Sequence, residues 1–190
     1  MKETPIIYSK RLLLRPFSLL DANDVYEWCS SLAVTKYLFW YPHRNIEVTK
    51  RLLIKWTRQK RNYSWCLVYQ GKAIGEVEVI KDLPCAGFEI GYTLNENYWR
   101  KGFMKEALQC VFSFLFLKKD YKYAFAITDK RNVPSKMLLE SLGFLLEKKE
   151  EESGDYFIAK KNEHIQVTSY RYERESFLIR ENAKNAEFPY

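Results

Sequence analysis

Phe88–Phe116, FEIGYTLNENYWRKGFMKEALQCVFSFLF, changes its hydrophobic period half-way along. Phe88, Ile90, Tyr92 and Leu94 alternate with Glu89, Gly91 and Thr93, the two-residue repeat of a strand with distinct faces. Asn95-Glu96-Asn97 breaks that repeat. From Met104 onward, Met104, Ala107, Leu108, Val111, Phe112 and Leu115 fall on one stripe of a helix. The joint between them is Trp99-Arg100-Lys101-Gly102-Phe103-Met104. A loop entering a helix offers unpaired N–H groups and the positive end of the dipole. Gly102 lets a ligand approach the backbone, and Arg100, Lys101 and Lys105 add positive charge. A diphosphate is the simplest group to place there.

Upstream of this joint, Leu12–Leu14, ended by Pro16, reads as a first strand. Asp21 is expected to cap a helix through Ala22, Val25, Trp28 and Cys29, and Asn45 a second carrying Leu52, Leu53 and Trp56. Ser64–Tyr69 and Ala73–Ile80 form a hairpin around Gln70-Gly71-Lys72, followed by a turn at Lys81–Pro84. Downstream, Tyr121–Thr128 is a fifth strand and Pro134–Leu142 a short helix ending at Gly143. Phe144–Glu150 begins a sixth strand interrupted near Gly154, and Ile165–Tyr172 is a seventh. Strands gathered first and helices interleaved later predict an α/β domain, a mixed sheet of about seven strands with about four helices on both faces. Residues 1–174 make the domain and 175–190 a loose polar tail.

The 190 residues suit one core, and 47% hydrophobic with 29% charged residues is ordinary for a soluble protein. No run approaches the ~18 apolar residues of a membrane span. The first residues carry no signal core. Cys29, Cys66, Cys85 and Cys110 are scattered, which favours reduced thiols and a cytoplasmic location, and His43 and His164 are too far apart to suggest a metal. His43, beside Pro42, is expected at the surface. A net charge of +7 suits a polyanionic ligand and does not separate that from nucleic acid.

At these residues the chain resembles the GNAT N-acetyltransferases, within them the branch that acetylates ribosomal-protein N-termini (RimJ/RimL). EIGYTL…YWRKGFMKEAL is similar to that branch's EIGY-x-L…YWGKGYATEAL. Two more anchors agree in order and spacing: Arg11-Leu-Leu-Leu-Arg15-Pro16 with Asp21-Ala22, and Asn132-Val-Pro-Ser135 through Leu142-Gly143-Phe144. The likeness spans roughly residues 6–174. The general signature, Gln/Arg-x-x-Gly-x-Gly/Ala, falls on Trp99, Gly102 and Met104, so two of its positions depart, and Met104 adds bulk.

The resemblance implies the GNAT fold and acetyl transfer from acetyl-CoA, without metal, to a primary amine by direct attack. The strand Ile90, Tyr92, Thr93, Leu94 would run along the pantetheine arm, and a backbone N–H there would polarise the thioester carbonyl. Arg100, Lys101, Gly102, Phe103, Met104 and Lys105 would hold the diphosphate, and Asn132 would reach the pantetheine. Ser135 would protonate or hydrogen-bond the departing thiolate; a serine there is equally a helix cap, as is Asn132. Glu89 is the candidate general base, with ion pairing as the rival reading and Glu76, Glu78 and Asp155 as lesser candidates. Phe39, Trp40 and Tyr41 either wall an acceptor pocket or fill a core. The acceptor is a protein N-terminus or a small amine (polyamine, amino sugar, amino acid). A non-catalytic acyl-CoA-binding module is the rival class, and an RNA-binding domain lacks its motifs. No membrane or direct nucleic-acid partner is expected, the chain being a monomer or homodimer.

Overall fold

Antiparallel neighbours build the first half of the sheet in the computed structural model, which describes residues 3–58, 62–147, 154–158 and 161–187. β1 (Ile7–Tyr8) pairs β2 (Leu13–Arg15), and β2 pairs β3 (Ser64–Tyr69). β3 pairs β4 (Lys72–Leu83), and β4 pairs β5 (Gly87–Leu94). Helix α4 (Phe103–Lys118) then carries the chain across to β6 (Tyr123–Asp129), which lies parallel to β5. β6 pairs antiparallel with β9 (Glu163–Glu173), and β9 takes both β7 (Leu145–Leu146) and β8 (Gly154–Ile158) along its other edge. Among the described residues the result is a nine-stranded mixed sheet.

Alternation sorts the side chains between two cores. Phe88 and Ile90 of β5 face α4, where Phe88 meets Phe112 and Phe116 at ring separations of 6.3 and 5.7 Å. α5 (Val133–Leu142) adds Leu139 and Leu142 to this layer. On β3, Trp65 and Leu67 join the same core, while Cys66 and Val68 face the other way. Beyond that opposite face, α1 (Ala22–Cys29), α2 (Leu32–Thr35) and α3 (Ile46–Arg58) bury Val25, Trp28, Val34 and Leu53 among themselves. Helices therefore cover both faces. Gly87 is fixed by close approach at the β5–β6 joint, because a Cβ there would run into the Tyr123 ring.

Several sequence expectations shift. The strand expected to end at Ile80 runs on to Leu83, and the turn moves to Pro84–Ala86, where Cys85 and Ala86 take positive φ. A bulge between Val79 and Lys81 lets the strand continue, and Lys81 and Asp82 find partners in Glu89 and Tyr121. Asp21 does not cap α1. Its carboxylate takes both Arg15 guanidinium nitrogens and the Ser18 N–H, while Ser18 caps a short 3-10 turn over Leu19–Asp21. His43 is half-buried, its Nδ1 2.8 Å from Thr49 Oγ1 and its ring against Trp40. The interrupted sixth strand splits into β7 and β8, its expected residues 148–150 lying outside the described ones. The expected loose tail instead forms helix α6 (Arg174–Glu187), which drives Phe177, 3% exposed, against Phe116.

Candidate active site

The two halves of the sheet part company where the sequence changes period. β5 and β6 are paired only at Gly87–Tyr123, Phe88–Ala124 and Glu89–Phe125. Beyond that point β5 stays with β4 as far as Leu94, and β6 stays with β9 as far as Asp129. The edge of Ile90–Leu94 that would face β6 is left open. Backbone N–H and C=O groups on such an edge need partners, and an extended amide-bearing ligand can supply them.

The open edge leads to the 99–105 loop. After Leu94, Asn95 caps a 3-10 turn over Glu96–Tyr98, and Glu27 fixes the turn by accepting from Asn95 and Asn97. The Lys72 ammonium, with those two amides, holds the Glu27 carboxyl below its ordinary value. Trp99 donates its indole N–H to the Leu94 carbonyl at 2.7 Å and is 42% exposed, which closes the turn. Arg100 and Gly102 both take left-handed conformations, at φ 58° and 78°, and Gly102 is the N-cap of α4 without a capping side chain. The first backbone bond into α4 runs from Glu106 N–H to the Gly102 carbonyl. The N–H groups of Phe103, Met104 and Lys105 therefore precede the helical ladder and point out of its end. This is the concavity of amides that suits an anion.

Arg11, which the sequence reading placed only in a family motif, locks this loop. Its guanidinium donates to the Lys101 carbonyl at 2.9 Å and to Glu106 at 2.7 Å, and it lies 4.2 Å from the Phe103 ring centroid. Burial alone would raise the Glu106 carboxyl, but hydrogen bonds from Ser9 and Arg11 hold it below its ordinary value. Lys101 is spent on its own loop, donating to the Asn97 carbonyl at 2.7 Å. Arg100 and Lys105 are the loop cations without a partner among the described residues. Phe103 and Met104 are buried in the main core, so the bulk of Met104 points away from the concavity.

Across the opening, Asn132 caps α5 by accepting the Ser135 N–H at 3.3 Å, so Ser135 is not itself the cap. Its hydroxyl instead meets Tyr92 Oη at 2.8 Å, a hydrogen bond that spans the gap from α5 to β5. Burial keeps the Tyr92 phenol above its ordinary value. Sequence alone points to the backbone of Tyr92, and nothing in the local pattern signals a contact 43 residues away. Thr93 is buried on the opposite face, opposite Glu76 in the β4–β5 register.

Glu89 also lies on that opposite face, 5% exposed, with its carboxylate 3.0 Å from Lys81 Nζ. The ion-pair reading describes it. Glu76 is buried and Glu78 half-buried on the same face, and Asp155 sits on β8 opposite Gln166. At the far end of β6, Asp129 is buried and grips Arg131, whose guanidinium keeps its carboxyl below the ordinary value against the opposing effect of burial. Phe39 packs on Tyr156 and on Ile158, Ile165 and Val167, and Lys161 donates to the Thr35 carbonyl at 3.2 Å. Trp40 packs with the α1–α3 core instead, and Tyr41 is exposed beside Lys161. Of the three aromatics only Phe39 thus joins the loop after α2 to the β8–β9 hairpin through a hydrophobic cluster. Among the described residues no group of His, Cys, Asp and Glu is arranged to hold a metal, and no helix is long and apolar enough to cross a membrane.

This site stands on a fold with known relatives. The acetyltransferase (GNAT) domain model matches residues 11–145, and the chain belongs to that family. It is 30% identical over 144 residues to the uncharacterized N-acetyltransferase p20 of Bacillus licheniformis, covering 73% of this chain and 81% of that protein. Among solved structures it superposes on a putative ribosomal-protein-serine acetyltransferase of Vibrio cholerae with a TM-score of 0.73 at 20% identity, covering 89% of this chain and 98% of that one. A spermidine N-acetyltransferase of Vibrio cholerae, in complex with CoA and spermine, superposes with a TM-score of 0.72 at 18% identity, covering 88% and 98%. The protein is an acetyl-CoA-dependent acetyltransferase of the GNAT family.

Proposed function

We propose that the acceptor is the α-amine of a peptide or protein N-terminus. The open β5 edge takes the pantetheine arm along Ile90–Leu94, the amides after Gly102 take the diphosphate, and the thioester lies at the Tyr92–Ser135 bridge. An N–H of the β5 edge polarises the thioester carbonyl as the amine attacks, so that no acyl-enzyme forms.

One observation carries the choice of acceptor: two carboxylates flanking the site, Glu89 and Asp129, are already paired with cations. Glu89 is held by Lys81, and Asp129 by Arg131. A polyamine carries several charges that need free carboxylates along their length, whereas a peptide terminus presents one. An α-amine has a pKa of about 7.7–8 and sheds its proton to water or a weak base, while lysine at about 10.4 needs roughly 3 kcal/mol more at neutral pH. An ion-paired Glu89 suits the first task. The two Vibrio cholerae relatives span both acceptor kinds, and the same paired carboxylates weigh against the polyamine. With Met104 in the core, its bulk does not favour the non-catalytic module.

The test is an acceptor panel with acetyl-CoA: an unblocked peptide, the same peptide N-terminally blocked but carrying lysine, and spermidine. The unblocked peptide is expected to give the highest kcat/KM. Preference for either of the others would overturn the acceptor assignment.

A further inference from the structure

We infer that the Tyr92 hydroxyl is a positioning group for the leaving thiolate, acting through Ser135. The inference rests on the reading of this site as the place of acetyl transfer. Tyr92 Oη and Ser135 Oγ lie 2.8 Å apart, and this hydrogen bond ties α5 to β5 just where β5 and β6 have separated. A hydrogen bond between two hydroxyls has two polarities, and the surroundings choose between them. If Ser135 donated to Tyr92, the half-buried phenolic proton would have no second protein acceptor among the described residues. With Tyr92 donating, that proton is used, and the single proton of Ser135 turns toward the half-buried opening.

That polarity has a chemical consequence. As the amine nitrogen bonds to the acetyl carbon, the C–S bond breaks and its electron pair collects on sulfur. The amine's surplus proton leaves to water or a carboxylate, and the thiolate later takes a proton from solvent. Neither hydroxyl gives up its proton. Ser135 supplies a hydrogen bond to the sulfur as its charge grows, and Tyr92 keeps that bond aimed by occupying Ser135's acceptor side. Because burial holds the phenol above its ordinary value, Tyr92 stays a donor through the alkaline range in which amines are most reactive. Asn132 does the complementary job on the backbone, holding the Ser135 N–H and so the first turn of α5.

The experiment is a double-mutant cycle over Tyr92→Phe and Ser135→Ala in the full chain. It uses an unblocked peptide and spermidine as acceptors and calorimetry of CoA for binding. Wild-type turnover is measured first: a wild type that binds CoA and acetylates neither acceptor would sink the proposed function itself. Given turnover, Tyr92→Phe is expected to lower kcat about tenfold with CoA affinity within twofold. The double variant is expected to be no slower than Ser135→Ala alone, because an aimed hydroxyl that is absent needs no aiming. An unchanged kcat in Tyr92→Phe, a loss seen only in CoA affinity, or effects that multiply in the double variant would each overturn the role of Tyr92 while leaving the acetyltransferase reading in place.

Discussion

Gly102 and Ser135 show how one residue can separate binding from turnover. Gly102 has a positive φ and stands where the free amides of α4 converge, so Gly102→Trp both strains the cap and fills the concavity. CoA affinity should fall tenfold or more, about 1.4 kcal/mol. An unchanged isotherm from a folded variant would take the diphosphate away from this loop. Ser135→Ala should do the reverse, lowering kcat and sparing affinity, since Asn132 rather than Ser135 caps the helix. Glu89 is less free to act as a base, because Lys81 already shares its charge. Glu89→Gln is expected to cost less than the roughly hundredfold that a general base supplies. A loss of that size, as a lowered plateau in the pH–rate profile, would make Glu89 the base after all. Such partners were out of reach of local sequence patterns. The alternation of Phe88–Leu94 tells which face Glu89 occupies and says nothing of the bulge that brings Lys81 to it.

At the scale of elements, β5 and α4 were legible because their periods differ and Gly102 marks the joint. α6 was not, because the run from Arg174 to Glu187 is mostly polar and contributes little more than Phe177 and Leu178 to the core. Two apolar residues in a charged segment resemble a solvated tail until the groove they fill is known. Phe177→Ala should therefore destabilise the fold by about 3 kcal/mol, the cost of emptying a buried aromatic site. Thermal unfolding would register this as a fall of roughly 6–12 °C. A variant that melts with the wild type would show that α6 is not docked. The Arg11 staple was equally hidden, since its partners Lys101 and Glu106 lie 90 and 95 residues away. Arg11→Ala should weaken CoA binding severalfold while costing only about 1 kcal/mol of stability, because the pair is partly exposed. A loss confined to stability would mean that the loop keeps its shape without the staple.

For the whole molecule, acid stability and thiol reactivity follow from what is buried. Glu27, Glu106 and Asp129 all have carboxyls held below their ordinary values in the fold. Their stabilisation is complete above the unfolded carboxylate range, about 4, and is lost as pH falls through their lowered folded values. Denaturant midpoints should accordingly stay level from pH 7 to about 5 and drop below about 4; a midpoint that rises on acidification would contradict these ion pairs. Cys29 and Cys66 are buried with thiols pushed up by desolvation, whereas Cys85 is exposed in the turn after β4. A thiol reagent should label Cys85 first and reach the two buried cysteines only on unfolding. The overall order of strands and helices could be read from sequence because each carries its own pattern. The narrowness of the β5–β6 joint could not, since register between distant strands leaves no local mark. That joint has a mechanical meaning. Three residue pairs are a thin backbone seam, so the two banks of the sheet are held together chiefly by the α4 core they share. A cofactor lying along one bank and touching α5 on the other would act as a suture. Amides along the open Ile90–Leu94 edge and in the first turn of α5 should then exchange with deuterium quickly in the free protein and slow together once the suture is in place.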